Sequence, residues 1–445
     1  MSPRVRFALP ALLVVLVVLA GLILTGGLGA PTPSDAARDS LAPSGAIGPA
    51  PTPTPRPELG GTELYGYLPY WRMTDSTADY LRDVPLQTIA LFSVGARRDG
   101  SINTDANGYE RIAGPVGRSI IADAHARDQR VELVFTSFGE RRNERFFATS
   151  DVNGASQSPS GAPAEASPAP AQVLPALSGG DLSPAPGAGD PAPSWLLTIP
   201  ALVDLAVDLD VDGINVDVER LPETSRAGYG AFLEQLREAL RREKPHARVS
   251  VASEAGERGV GNAAVAAAAG VDRIFLMGYD YHWSGSQPGA SSPVDRIDGI
   301  YDLRWSIDAY VEAGVPRDRI LLGLPLYGMQ WRSTGADRFA EVIGSGQAWI
   351  LDEHRAELQE DAFTPQRDPI EIAEFTVEQD GDTWLHTYFD SPATLRLKLA
   401  LARDEGLAGG GFWAISYERG VPGYVGLMTD FRDGKVERSE APPRR

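Results

Sequence analysis

Apolar and polar positions along this chain repeat in a two-part pattern. Short apolar segments at 64–70, 87–94, 130–137, 211–219, 247–253, 272–279, 320–327 and 409–416 have the length and residue content of strands. Between most of them run stretches whose apolar residues recur at helical spacing: 115–128, 195–208, 225–243, 262–269, 298–313 and 392–405. Gly314 and Gly406 follow two of these as helix stops. Ser391-Pro392 opens the last one as an N-cap with proline at the first helical position. Eight alternations of strand and helix predict an α/β fold, a (β/α)8 TIM barrel. Functional side chains then belong at the C-terminal strand ends.

The repeat is interrupted or flanked by segments of other composition. Arg4 and Arg6 precede an uncharged apolar run from Phe7 to Leu24, so residues 1–30 read as a signal peptide or an uncleaved membrane anchor, with the anchor preferred. Basic residues before the run place the rest of the chain outside the cytoplasm, which predicts an extracytoplasmic protein, secreted or anchored. Residues 31–60 are Pro-rich and form an extended spacer. Residues 61–432 are the barrel domain. Within it, residues 150–194 are too poor in apolar groups to offset their ordering entropy and are expected to be a disordered insertion. Residues 328–391 are a small insertion between strands seven and eight, with strand-like pieces at Glu371–Gln379 and Thr383–Phe389. It is expected to wall one side of a cleft. Residues 433–445 are expected to be a disordered tail.

The fourth apolar segment carries the chemistry. Val211 to Glu219 reads V-D-G-I-N-V-D-V-E, with Ile214, Val216 and Val218 alternating with Asn215, Asp217 and Glu219. Side chains alternate faces along a strand, so the three polar groups share one face. Buried parallel strands are usually apolar on both faces. An amide and two carboxyl groups stacked there are costly unless hydrogen-bonded or used, which points to a site. The competing reading is a pair of solvated or capping acids at a strand end.

Composition narrows the partners. A net charge of −19 argues against a phosphate-backbone surface and so against nucleic acid. There is no cysteine, and the five histidines show no ligand spacing, so neither a metal nor another cofactor is expected. No G-x-S-x-G occurs to start a serine hydrolase. The glycines of 256–261 lack the Lys-Ser/Thr ending of a phosphate loop. The chain is expected to act as a monomer.

The V-D-G-I-N-V-D-V-E run resembles the D-G-x-D-x-D-x-E signature of glycoside hydrolase family 18, the chitinase-like (β/α)8 barrels. Asn215 departs from it, standing where many members have an Asp. The Asn form resembles the bacterial branch that contains spore-cortex-lytic N-acetylglucosaminidases. Four further runs are similar to family motifs: L-Y-G-Y-L-P-Y-W (64–71), M-G-Y-D-Y-H-W-S-G (277–285), L-L-G-L-P-L-Y-G-M-Q-W (321–331) and G-G-G-F-W-A-I-S-Y-E (409–418). The resemblance covers about residues 64–420.

By that resemblance Glu219 would be the general acid and then the base, and Asp217 would hold the substrate's acetamido N–H. Tyr279 would donate to the acetamido oxygen, and Asp280 would contact sugar or support the site. Trp413 would be the floor beneath the cleaved sugar, and Trp71, Tyr327 and Trp331 would line the groove. His282 is expected to be satisfied by its neighbours. Asn215 is expected to donate its amide to Asp217 and so keep that carboxyl ionised. The implied activity is substrate-assisted, retaining hydrolysis of β-1,4 bonds in N-acetylglucosamine polymers, either chitin oligomers or peptidoglycan. The alternative is a barrel that binds wall glycans without cutting them.

Overall fold

The computed structural model describes residues 62–148, 193–440 and 442–443. The expected leader, the Pro-rich spacer and all but the last two residues of the 150–194 insertion lie outside the described residues. Among the described residues no helix is long and apolar enough to cross a membrane.

All eight expected strands are present: β1 (Glu63–Pro69), β2 (Thr88–Gly95), β3 (Arg130–Phe138), β4 (Gly213–Glu219), β5 (Arg248–Glu254), β6 (Arg273–Met277), β7 (Ile320–Pro325) and, last in the chain, β13 (Gly409–Trp413). They close into a parallel barrel in the order β1-β13-β7-β6-β5-β4-β3-β2. Strand alternation sorts their side chains into two cores. Ile214, Val216 and Val218 face outward, into the layer shared with the helices. Tyr65, Tyr67, Phe92, Val134, Phe275 and Leu321 fill the barrel interior. Two glycines make room for the Phe275 ring. A Cβ on Gly323 would lie 2.3 Å from one ring carbon, and a Cβ on Gly411 2.6 Å from another.

The expected helices appear with edges moved by a few residues, among them Trp195–Asp208, Arg226–Glu243, Leu303–Glu312 and Pro392–Asp404. The Ser391 hydroxyl accepts from the Thr394 N–H, as an N-cap should. Helices at Asp75–Leu81, Asn107–Ala113 and Glu140–Phe146 are additional; at seven residues each they are too short to show a clear period.

The insertion after β7 is a five-stranded antiparallel sheet: β8 (Tyr327–Ser333), β9 (Gln347–Ile350), β10 (Gln366–Asp368), β11 (Ala373–Asp380) and β12 (Thr383–Phe389), in the order β10-β11-β12-β8-β9. It begins at Tyr327, so one strand that reads as the exit of barrel strand seven belongs to the insertion.

The expected tail is ordered further than the sequence suggests. Val436 is fully buried, and Arg438–Glu440 forms a 3-10 turn packed beside helix Pro392–Asp404. Arg304 donates to the Pro442 carbonyl. One well-placed valine fixes the segment, a signal too small for a composition argument.

Past the end of β13, Glu418 is buried with one oxygen accepting from the Tyr80 hydroxyl at 2.6 Å and the other unpartnered. Burial pushes its carboxyl up to about 7. A carboxyl raised by folding contributes stability fully below its unfolded value of 4.5 and loses it as pH rises through 7. Glu418→Gln is therefore expected to raise the unfolding free energy at pH 8, by about 3 kcal/mol at most, with the advantage vanishing near pH 4.5. Thermal melts across pH check this, and a variant less stable than wild type at pH 8 contradicts it.

Candidate active site

The polar face of β4 points into the barrel. Asn215 is deepest and fully buried, Asp217 lies above it, and Glu219 ends the strand, half-buried, at the C-terminal face. Register places Asn215 beside Val134 and Ser250, and Asp217 beside Thr136 and Ala252.

Asn215 does not reach Asp217. Its carbonyl oxygen accepts from the Tyr67 hydroxyl at 3.1 Å, and its amide donates to Ser250 Oγ at 2.8 Å. Ser250 in turn donates to Glu132, which also accepts from Tyr65. The expected amide support for an ionised Asp217 is thus absent. Same-face residues on one strand are about 6.6 Å apart, while the neighbouring strands present hydroxyls directly alongside. Replacing Asn215 by Leu leaves Tyr67 and Ser250 short of partners and is expected to cost about 2–4 kcal/mol in denaturant unfolding. A loss below about 1 kcal/mol would show that the chain of hydroxyls re-forms without it.

Asp217 is 4% exposed and its Oδ1 has no hydrogen-bond partner. Burial raises its carboxyl well above the ordinary range, and the charges of Glu219 and Glu254 add to this. Burial thus favours the protonated form of Asp217 in the free protein, in the opposite direction to the expected constantly charged group. Glu219 is pushed up to about 7, first by burial, then by Glu254 and Asp280.

Glu254, the last residue of β5, is the member of this group that sequence reading missed. Its carboxyl is raised by burial and accepts weakly from the Arg220 N–H at 3.4 Å. A strand-final carboxyl on the neighbour of β4 was the available signal. Because its charge helps to raise Glu219, Glu254→Gln is expected to move the alkaline limb of kcat/KM to lower pH. An unmoved limb would show that the two carboxyls do not interact.

The other expected residues divide. Tyr279, half-buried, joins the inner cluster with Trp413 and Met277 and feels the charges of Asp217 and Asp280. Asp280 opens to the cleft, accepts from the Tyr327 hydroxyl at 2.5 Å, and takes a left-handed backbone at φ 60° fixed by Ser291. Trp413 packs edge-on against Phe92 at 4.8 Å and lies 6.3 Å from Trp71. Trp71 is 41% exposed and donates to the Tyr417 hydroxyl. Aromatic faces of this kind suit the apolar faces of sugar rings. Tyr327 is buried and serves the site through Asp280. Trp331 does not line the groove. It is fully buried in the insertion sheet, donating to the Trp283 carbonyl and packing beside Tyr388. On β8 its face turns into that sheet's core, which the G-M-Q-W run does not reveal.

His282 is buried and satisfied, with Gln287 O at 2.9 Å and Arg338 at 3.2 Å. It also meets Asp298 and Glu371, a trio whose ligand atoms lie within 4.8 Å of one another. The Arg338 guanidinium already occupies this trio, pairing with Glu371, so the group is an ion-pair network and not a metal cradle.

In closed parallel barrels, active sites are built at the C-terminal strand ends, where these interacting carboxyls lie. Comparison with known proteins supplies the family. Residues 198–418 match the family model for glycosyl hydrolases family 18. A putative sporulation-specific glycosylase of Bacillus subtilis (strain 168) is 30% identical over 135 residues, covering 29% of this chain and 30% of that protein. Chitinase 1 of Aphanocladium album is 28% identical over 251 residues, covering 52% and 58%. The chain thus spans less than two thirds of the length of these curated relatives. Among solved structures, the spore cortex-lytic enzyme of Bacillus cereus superposes with a TM-score of 0.59 at 17% identity, covering 83% of this chain and 74% of that one, and shares the fold. Residues 198–418 carry a glycosyl hydrolase family 18 domain, and bacterial sporulation and cortex-lytic proteins are among the chain's relatives.

Proposed function

We propose that the protein is an exported, membrane-tethered retaining glycosidase that cuts β-1,4 bonds after N-acetylglucosamine. The observation that carries this reading is the stack on β4: Glu219, its carboxyl pushed up to about 7 first by burial, at the strand end above a buried Asp217 with an unpartnered oxygen. A carboxyl near 7 holds its proton at neutral pH and can still release it, which a general acid requires.

In the proposed reaction the substrate's acetamido oxygen attacks the anomeric carbon while Glu219 protonates the leaving oxygen. The acetamido N–H donates to Asp217 Oδ1, which favours ionised Asp217 and moves the shared proton toward Glu219. Ionised Asp217 then faces the positive oxazolinium, and the Tyr279 hydroxyl holds the acetamido oxygen. Glu219, now a carboxylate, takes a proton from the water that opens the ring, so configuration is retained. Trp413 and Trp71 supply the platform for the sugar.

The test is a chromogenic chitotrioside with proton NMR of the first product. Turnover with a β product, and no turnover of the de-N-acetylated analogue, supports the reading. An α product, or equal rates on the two, defeats it. Wall glycan or soluble oligosaccharide is favoured over crystalline chitin, because the apolar run at residues 7–24 and the Pro-rich stretch after it fit a tethered protein held near the wall. Digests of purified peptidoglycan and crystalline chitin side by side decide that point. Cell fractionation decides the tether: protein in the soluble fraction alone would remove it.

A further inference from the structure

The opposite end of the barrel holds a second, basic cleft of about 640 Å³. It lies at the N-terminal strand ends. Asp272 and Arg273 open β6, Asp318 and Arg319 precede β7, and Ala408 precedes β13. Six arginines line it against two aspartates, in a chain of net charge −19.

These arginines are not all committed to the fold. Arg273 binds Glu63 at 2.7 Å, and Arg241 binds Asp272 at 2.7 Å. Both are barrel ties and are set aside. Among the described residues Arg319 reaches only the Ala267 carbonyl, at 3.3 Å. Arg237, Arg403 and Arg438 pair with no carboxylate among the described residues, and buried Arg237 Nε and Arg403 Nη1 have no hydrogen-bond partner. Buried guanidinium nitrogens are normally satisfied. Arg237 comes from helix Arg226–Glu243 and Arg403 from helix Pro392–Asp404, so two separate elements bring guanidinium groups with unmet donors to the lining of one cleft.

The geometry points to a binding site for a small phosphate- or diphosphate-bearing molecule on this face. Guanidinium forks match phosphate oxygens two by two. A cleft walled by low-dielectric protein concentrates its positive field even when the whole molecule is acidic. Its volume lies within the range of small-ligand sites, leaving room beside the phosphates for an organic group. The acid cluster is a strand length away, on the order of 15–20 Å, so occupancy leaves the hydrolytic site untouched.

The test is thermal unfolding of the full chain titrated with inorganic pyrophosphate, beside sodium chloride at equal ionic strength. The expected result is a saturable rise in Tm of about 2–4 °C with pyrophosphate only. Arg237→Gln/Arg403→Gln abolishes that rise while chitotrioside turnover stays at the wild-type rate. Merely structural arginines would give a lower Tm in the variant with the pyrophosphate rise intact, which overturns the proposal, as do superimposable wild-type curves in the two salts. Should the double variant not fold, Arg438→Gln on the exposed rim is expected to weaken half-saturation several-fold, and an unchanged midpoint counts against the site. Sedimentation with phosphatidylglycerol vesicles in the absence of any pyrophosphate effect also overturns it, by assigning the charge to a lipid surface.

Discussion

Glu219→Gln is expected to lower kcat on a chitotrioside by about 10²–10⁴-fold, the span supplied by a positioned general acid. Glutamine keeps the shape and one acceptor but has no proton to give and cannot serve as base in the second half of the reaction. KM should move little, since the leaving oxygen is engaged mainly in the transition state. In wild type the alkaline limb of kcat/KM should fall near pH 7, where Glu219 loses its proton. The variant should also be more stable than wild type above pH 7. A carboxyl raised by folding loses its stabilising contribution as pH climbs from 4.5 through 7, and the amide has no such loss. Activity within tenfold of wild type would remove Glu219 from the acid role, whatever the melts show.

Asp217→Asn is expected to cost about 10²–10³-fold in kcat, the usual effect of removing one preorganised electrostatic contact from a transition state. Asparagine can meet the acetamido N–H through its carbonyl but offers no charge to the oxazolinium. The pH profile carries the more specific expectation. Asp217 and Glu219 interact, so wild type should show two ionisations above the ordinary carboxylate range. The variant should show one. A profile with both steps intact would mean that the second ionisation belongs elsewhere, with Glu254 the next group to examine.

Much of the site was legible because a strand's period is fixed. Asn215, Asp217 and Glu219 share a face whatever surrounds them, and eight apolar runs separated by helical ones leave few folds open. Motif order then placed Tyr279, Asp280 and Trp413 at the same end of the barrel. The partners of those residues were not legible. The amide of Asn215 turns to Ser250 and not to Asp217 because β5 lies alongside β4, a neighbourhood that only barrel closure creates.

The sequence by itself determined the barrel, its carboxyl stack and the insertion between strands seven and eight, since each follows from local periodicity or composition. Tertiary structure alone decided the rest. It withdrew Asp217 almost wholly and Glu219 and Glu254 partly from water, and so moved their proton affinities upward, because desolvation and charge repulsion depend on three-dimensional distance. It carried Trp331 away from the groove into the core of a second sheet, because strand pairing chooses which face is covered. It also gathered unpaired arginines from helices far apart in the chain at the opposite end of the barrel, where no pattern along the sequence brings them together.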